Sequence, residues 1–165
     1  MARILIVGGG CRGRELCAAL VGEGHAVRIT TRGEAGRPAI EAAGAECWIG
    51  TPDRLATLRG ALENVTVLCW LLGSAAGSSQ ELEVLHSTRL EFFITQAIDT
   101  TVRGFVYEAA GTSTPAAILA GGERCARALL ERNAIPAAFL RRDPADREAW
   151  LEEAHAAVGS LLSAG

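Results

Sequence analysis

Ile4-Leu5-Ile6-Val7-Gly8-Gly9-Gly10-Cys11-Arg12-Gly13-Arg14-Glu15-Leu16 is an apolar run of β-forming residues that passes straight into G-x-G-x-x-G spacing and then into a helical pattern. Each glycine has a mechanical task. Gly8 permits the tight turn off the strand, Gly10 leaves room for a pyrophosphate against the backbone, and Gly13 lets the helix pack close to the sheet. The helix N-terminus then offers unpaired N–H groups and the positive end of its dipole to an anion. A strand, glycine turn and helix in that order are the fingerprint of a dinucleotide-binding βα unit.

Outward from this turn the chain alternates between short β-rich runs and longer helical ones. The strands expected after Arg3–Val7 are Ala26–Thr31, Glu46–Ile49, Val65–Leu72, Gly104–Tyr107 and Ala137–Arg141. Val65–Leu72 is apolar on both faces, as a central parallel strand should be. Helices are expected over Cys11–Glu23 and Pro38–Ala43. A third is expected from the Thr51-Pro52-Asp53 start signal to Leu62, and a fourth, long one from the Ser78-Ser79-Gln80-Glu81 capping box to Asp99. The last two would run from Thr114-Pro115 to Asn133 and from Asp143-Pro144 to Leu162. Six strands separated by helices predict one α/β domain over residues 1–165, a doubly wound parallel Rossmann sheet ordered 3-2-1-4-5-6.

Composition narrows the function classes. A chain of 165 residues that is 49% hydrophobic can bury a sizeable core, and its net charge of −3 lacks the basic footprint of a nucleic-acid binder. No apolar run approaches the roughly 20 residues of a membrane helix, and a start directly on a strand predicts no leader peptide. Five cysteines (Cys11, Cys17, Cys47, Cys69 and Cys125) form no CxxC and no zinc spacing with histidine, so reduced thiols in a cytoplasmic setting are expected. Cys47 and Cys69 read as core. Cys11, inside the glycine turn at a helix N-terminus, is either a small loop residue or a redox-reactive thiol.

The end of the second strand selects the cofactor. An acidic residue there would accept hydrogen bonds from a ribose 2′-OH, but the chain reads Thr30-Thr31-Arg32-Gly33. A guanidinium favours a 2′-phosphate through charge-assisted hydrogen bonds. Thr31 adds a hydroxyl, and Arg12 is a second nearby cation, so the spacing favours NADP(H) over NAD(H). Glu34 lies beyond Gly33, too far along to take the acidic role. Gly50-Thr51-Pro52-Asp53 should lie near the adenine edge. Leu72-Gly73-Ser74-Ala75-Ala76-Gly77 should lie at the topological switch point beside the nicotinamide ribose.

With these segments the chain resembles the atypical and extended short-chain dehydrogenase/reductase superfamily, which includes epimerase-like proteins and NADP-sensing regulators of nitrogen metabolite repression. The resemblance rests on ILIVGGGCRGRELCAAL, GEGHAVRITTR, LRGALENVTVLCWLLGSAAG, VRGFVYEAAG and ALLERNAIPAAFLRR. It implies that Gly8, Gly10, Cys11, Arg12, Gly13, Thr31, Arg32, Gly73 and Ser74 line a dinucleotide. The family's Tyr-x-x-x-Lys pair, in which the lysine prepares a phenol for proton exchange, is not matched. Leu119 and Glu123 fall near those positions, the chain has no lysine, and its one tyrosine, Tyr107, lies inside the fifth strand. Only one helix follows the sixth strand, where active relatives carry a substrate region.

Other candidates are weaker. His25, His86 and His155 have no cysteine or carboxylate at metal-site spacing and read as structural or solvated, so no metal site is expected; Trp48, Trp70 and Trp150 read as packing residues, with contact to a partner the alternative for Trp150. Glu108 ends the fifth strand facing the nicotinamide region, where a carboxylate serves either as a base or as a helix cap or salt-bridge partner. Three functions stand: an NADP-dependent oxidoreductase or epimerase-like enzyme on a small molecule, a non-catalytic NADP(H)-sensing module, and a Rossmann domain that binds nothing. A homodimer through the Ser78–Asp99 helix is the partner arrangement the resemblance suggests.

Overall fold

A computed structural model describes residues 1–164. The sheet has six parallel strands: β1 (Arg3–Gly8), β2 (Ala26–Thr31), β3 (Glu46–Ile49), β4 (Val67–Leu71), β5 (Gly104–Glu108) and β6 (Ala137–Leu140). They stand in the order β3-β2-β1-β4-β5-β6. The helices are α1 (Gly10–Gly22), α2 (Arg37–Ala42), α3 (Ser79–Leu85), α4 (Thr88–Ile98), α5 (Ala116–Arg132) and α6 (Arg147–Ser163). The expected architecture is the one observed.

Side chains alternate across each strand, so the two faces build two cores. Ile4 and Ile6 of β1 pack with Leu16 and Leu20 of α1, Cys69 of β4, and Trp150 and Val158 of α6. Leu5 and Val7 face the other way, onto Leu68 and Trp70, Leu82 and Leu85 of α3, Phe93 and Ile94 of α4, and Leu130 of α5. β1 and β4 are covered on both sides, which is why their apolar runs are continuous. Cys69 is buried as expected, whereas Cys47, on the edge strand β3, is only half-buried.

Four local expectations change. Residues 51–62 make no α-helix but two 3-10 turns, Leu55–Leu58 and Gly60–Leu62. The buried Arg28 of β2 draws the Ala61 carbonyl to 2.5 Å and the Glu63 carbonyl to 3.3 Å, and it stacks on Trp48. Arg89 of α4 takes the carbonyls of Pro52 and Asp53 at 2.9 and 2.6 Å. Carbonyls spent on distant guanidinium groups are not free for a helical ladder.

The long helix is two helices, broken at His86-Ser87, where Ser87 has φ −130 and ψ −94. Ser78 caps its start, accepting the Glu81 N–H at 3.1 Å, while the Glu81 carboxylate takes the Ser78 hydroxyl at 3.1 Å and so forms only half of the expected capping box. Thr114 caps nothing: its hydroxyl is buried without a partner, and Pro115 stands at the N-cap of α5. α6 starts from Asp146, which accepts the Ala149 N–H, while Asp143 closes a turn onto the Ala145 N–H. No helix among the described residues is long and apolar enough to cross a membrane.

Candidate functional site

β1 ends in three consecutive residues in the left-handed region, Gly8 (φ 83), Gly9 (φ 88) and Gly10 (φ 54). Such a run costs little only for glycine. At Gly8 the space is also filled, since a Cβ there would strike Leu72 Cδ2 and the Leu71 carbonyl. The Gly9 N–H donates to the Leu71 carbonyl at 2.8 Å, which ties the turn to β4. A Cβ at Gly13 would lie 3.2 Å from the Gly8 carbonyl and 3.5 Å from Ile6 Cγ2. The helix therefore sits directly on the strand. The first helical bond runs from the Gly13 N–H to the Gly9 carbonyl, leaving the N–H groups of Gly10, Cys11 and Arg12 outside the ladder. Around the Cβ position of Gly10 there is open space to 4 Å.

Two clefts meet at this turn and share Gly8, Leu72 and Ala75. The first, of about 510 Å³, runs over the C-terminal ends of β2 and β3 and is lined by Thr31, Arg32, Gly50, Pro52, Asp53 and Glu81, among others. The second, of about 490 Å³, runs toward β4 and β5 and is lined by Gly9, Gly10, Cys11, Arg12, Ser74 and Thr112, among others. A smaller hollow of about 180 Å³ beside Gly10 carries Arg14 and Thr31. Of the nine residues expected at a cofactor, seven line these spaces: Gly8, Gly10, Cys11, Arg12, Thr31, Arg32 and Ser74. Gly13 and Gly73 stand behind the walls.

Gly73 lies behind its wall because the loops after β4 and β5 are pressed together. A Cβ on Gly73 would strike the Ala110 carbonyl, and one on Gly111 would strike the Gly73 carbonyl. The Gly73 N–H donates to Glu108 Oε1 at 2.7 Å, and the Trp150 indole N–H donates to Oε2 at 2.7 Å. Ser74 Oγ accepts the Thr112 N–H at 3.1 Å. Burial pushes the Glu108 carboxyl above the usual carboxylate range, against the pull of its two hydrogen bonds and of Arg12. With both oxygens engaged and 1% of its surface exposed, Glu108 joins the switch-point loop to α6. These contacts are structural, but they are hydrogen bonds to a loop amide and an indole rather than the helix cap or salt bridge expected from the sequence. Trp150 is fully buried, and Arg12 lies over its ring at 5.8 Å.

The groups near the expected proton-exchange positions are occupied elsewhere. Leu119 is in the core. Glu123 accepts a two-pronged bond from Arg141 (2.7 and 2.6 Å) and another from Arg127 (3.0 Å), and these cations, Arg141 first, lower its pKa. Tyr107 is buried against His86. Glu34 pairs with Arg37 at 2.6 Å and lines neither of the two clefts. Among the described residues no group of three metal-ligating side chains converges.

Asp53 lies in the loop expected near the adenine edge and lines the first cleft, but its pairing with Arg32 escaped the sequence reading, as did Arg14 and Arg89. Arg14 donates to Cys11 Sγ at 3.1 Å from one turn along α1, a spacing that could have been read. Asp53 receives a 2.6 Å bond from Arg32, and Arg89 holds the loop that carries it. Those two partnerships join different strands and helices and leave no local trace.

No family model and no curated protein sequence matches the chain. Solved structures do match in fold. A putative NAD-dependent epimerase/dehydratase from Bacillus halodurans superposes with a TM-score of 0.73 at 18% identity, covering 87% of this chain and 71% of the other. A short-chain dehydrogenase/reductase superfamily protein from Agrobacterium tumefaciens with bound NAD gives 0.69 at 20% identity, covering 84% of this chain and 48% of the other. Vestitone reductase from alfalfa gives 0.63 at 14% identity, covering 84% and 56%. The chain spans about half the length of the first of the solved structures it matches. At these identities the likeness is one of architecture: the chain has the Rossmann fold found in short-chain dehydrogenase/reductase and epimerase/dehydratase structures.

Proposed function

We propose that the protein binds an adenine dinucleotide, NADP(H) in preference to NAD(H), and acts as a Rossmann protein of the reductase and epimerase kind. One observation carries this reading: the Gly8–Gly10 turn holds three left-handed residues and opens onto free space where two clefts meet. The residues present fit the group. N–H groups of Gly10, Cys11 and Arg12 face a pyrophosphate at a helix N-terminus, and the Arg12 and Arg14 guanidiniums add positive charge beside it. Arg12 Nε is buried and has no protein partner, a donor still to be satisfied. Thr31 and Arg32 serve the 2′-phosphate, and Ser74 and Thr112 stand on the nicotinamide side. Bound nicotinamide would supply hydride exchange with a small carbonyl or hydroxyl compound.

A second reading, a non-catalytic module that senses NADP(H), is favoured by Leu119, Glu123 and Tyr107, whose contacts are structural. The free thiols suit a reducing, cytoplasmic setting. A homodimer would use the outer face of α4, where Phe92 is 55% exposed.

Thermal-shift titration with NAD+, NADH, NADP+ and NADPH tests the binding. A ligand at a hundred times its Kd stabilises by about 2.7 kcal/mol, which raises the Tm of a domain this size by roughly 5–10 °C. No shift with any dinucleotide at millimolar concentration overturns the reading. Turnover of bound cofactor in a substrate screen separates the enzyme from the sensor.

A further inference from the structure

We propose that Asp53, through its pairing with Arg32, sets the choice between a 2′-phosphate and a 2′-hydroxyl in the first cleft; this rests on the dinucleotide reading above. Arg32 follows β2 and Asp53 follows β3, and the two strands are parallel neighbours. Their ends bring the two side chains together, Arg32 Nη1 to Asp53 Oδ2 at 2.6 Å, on the wall of the cleft.

The two partners differ in freedom. The Asp53 backbone is anchored, because Arg89 binds the Pro52 and Asp53 carbonyls at 2.9 and 2.6 Å, and the Thr51 N–H donates to Thr57 Oγ1 at 2.9 Å. Arg32 is a long side chain, 75% exposed, with no other hydrogen bond among the described residues. A pair this exposed adds little to folding, so a ligand can reorganise it without loss of structure. The longer, more mobile partner is Arg32, and the shorter one is a carboxylate carried on an anchored backbone.

Consequences for the ligand follow from charge. The guanidinium has five N–H donors and spends one on Asp53, so a phosphate can reach the others. It must then sit beside the Asp53 carboxylate, and like charges at that range repel. A 2′-hydroxyl meets the opposite situation, a carboxylate acceptor already in place. Asp53 therefore restrains the preference for phosphate that Arg32 alone would confer.

The test is calorimetric titration of the full chain with NAD+ and NADP+, repeated with AMP and adenosine 2′,5′-bisphosphate to isolate the adenosine end. Asp53→Asn should raise the affinity ratio of NADP+ to NAD+ by about tenfold, the scale of one charge-assisted contact. Arg32→Ala should abolish the preference for phosphate. In the Arg32→Ala background Asp53→Asn should have less effect, because the two residues act as a pair. Glu152→Gln, an exposed carboxylate on α6, controls for net charge, and Asp53→Ala repeats the measurement if Asp53→Asn is poorly folded by circular dichroism. Dinucleotides that bind with an unchanged ratio in Asp53→Asn, or an equal effect with and without Arg32, overturn the inference alone. Failure of every dinucleotide to bind the natural chain removes the reading beneath it.

Discussion

His86 Nδ1 lies 2.8 Å from the Tyr107 hydroxyl in the core, and the same ring's Nε2 lies 3.2 Å from the Leu72 carbonyl. Both contacts are met at once when Nε2 carries the proton for Leu72 and Nδ1 accepts from the tyrosine. Leu72 lines both clefts, so the pair braces their shared floor from behind. The ring stands at the break between α3 and α4.

Burial is the main cause that pushes the His86 pKa down from 6.5 to about 4. Below pH 6.5 the unfolded chain takes up a proton that the folded protein refuses until about pH 4. Stability therefore falls as pH falls through that window, by up to about 1.4 kcal/mol per unit. Glu108 acts in the opposite sense, since its raised pKa favours the folded state at low pH and that contribution is lost as pH rises above 4.5. Urea unfolding at pH 7 and pH 5 should show the natural chain losing about 2 kcal/mol more than His86→Gln between the two. Equal losses would show that the ring titrates normally.

Tyr107→Phe removes the donor to His86 Nδ1 and leaves a buried acceptor alone, at a cost of about 1–3 kcal/mol. Gly122→Ala should be at least as damaging, because its Cβ would strike the tyrosine hydroxyl. Denaturant midpoints check both, and a Tyr107→Phe variant as stable as the natural chain would mean the pair is not formed.

Trp150→Phe should keep the ring's packing and delete its N–H, leaving Glu108 Oε2 buried without that partner. A buried acceptor left without its donor costs about 1–3 kcal/mol. Because Glu108 also holds the Gly73 N–H, amide exchange should quicken at Gly73 and Ser74. Unchanged exchange there would show that α6 does not support the switch-point loop.

The glycines divide into two kinds that alanine separates. Gly111→Ala collides with the Gly73 carbonyl and should destabilise by about 1–3 kcal/mol through overpacking. Gly10→Ala meets open space, so its cost is about 1–2 kcal/mol for a left-handed residue with a Cβ. Its Cβ would stand where the pyrophosphate is proposed, so dinucleotide affinity should fall at least tenfold while the fold persists. A folded Gly10→Ala protein with natural affinity would move the ligand away from the turn.

Arg28→Met replaces a buried guanidinium that serves Ala61, Glu63 and Glu46. Two carbonyls and a carboxylate lose their donor, at a cost of roughly 2–4 kcal/mol. Thermal unfolding measures it, and a Tm within a degree or two of the natural protein would show that the 3-10 segment holds itself.

The parts of this protein written in its sequence are those that depend on near neighbours. The strands at Ala26–Thr31 and Glu46–Ile49, the glycine turn and the Ser78 N-cap all follow from apolar period, φ freedom or cap chemistry within a few residues. The sheet order also came from the alternation of strand and helix. Tertiary structure alone decided the rest. The 51–62 segment became 3-10 turns because Arg28 and Arg89 claimed its carbonyls. The long helix is interrupted at His86-Ser87, where His86 meets Tyr107, and Glu108 became a bolt because Trp150 reached it from 42 residues away. Arg32, read alone, is a phosphate ligand; beside Asp53 it is half of a balance. These pairs join residues from 21 to 42 positions apart, and their energies exist only once parallel strands lay their ends side by side.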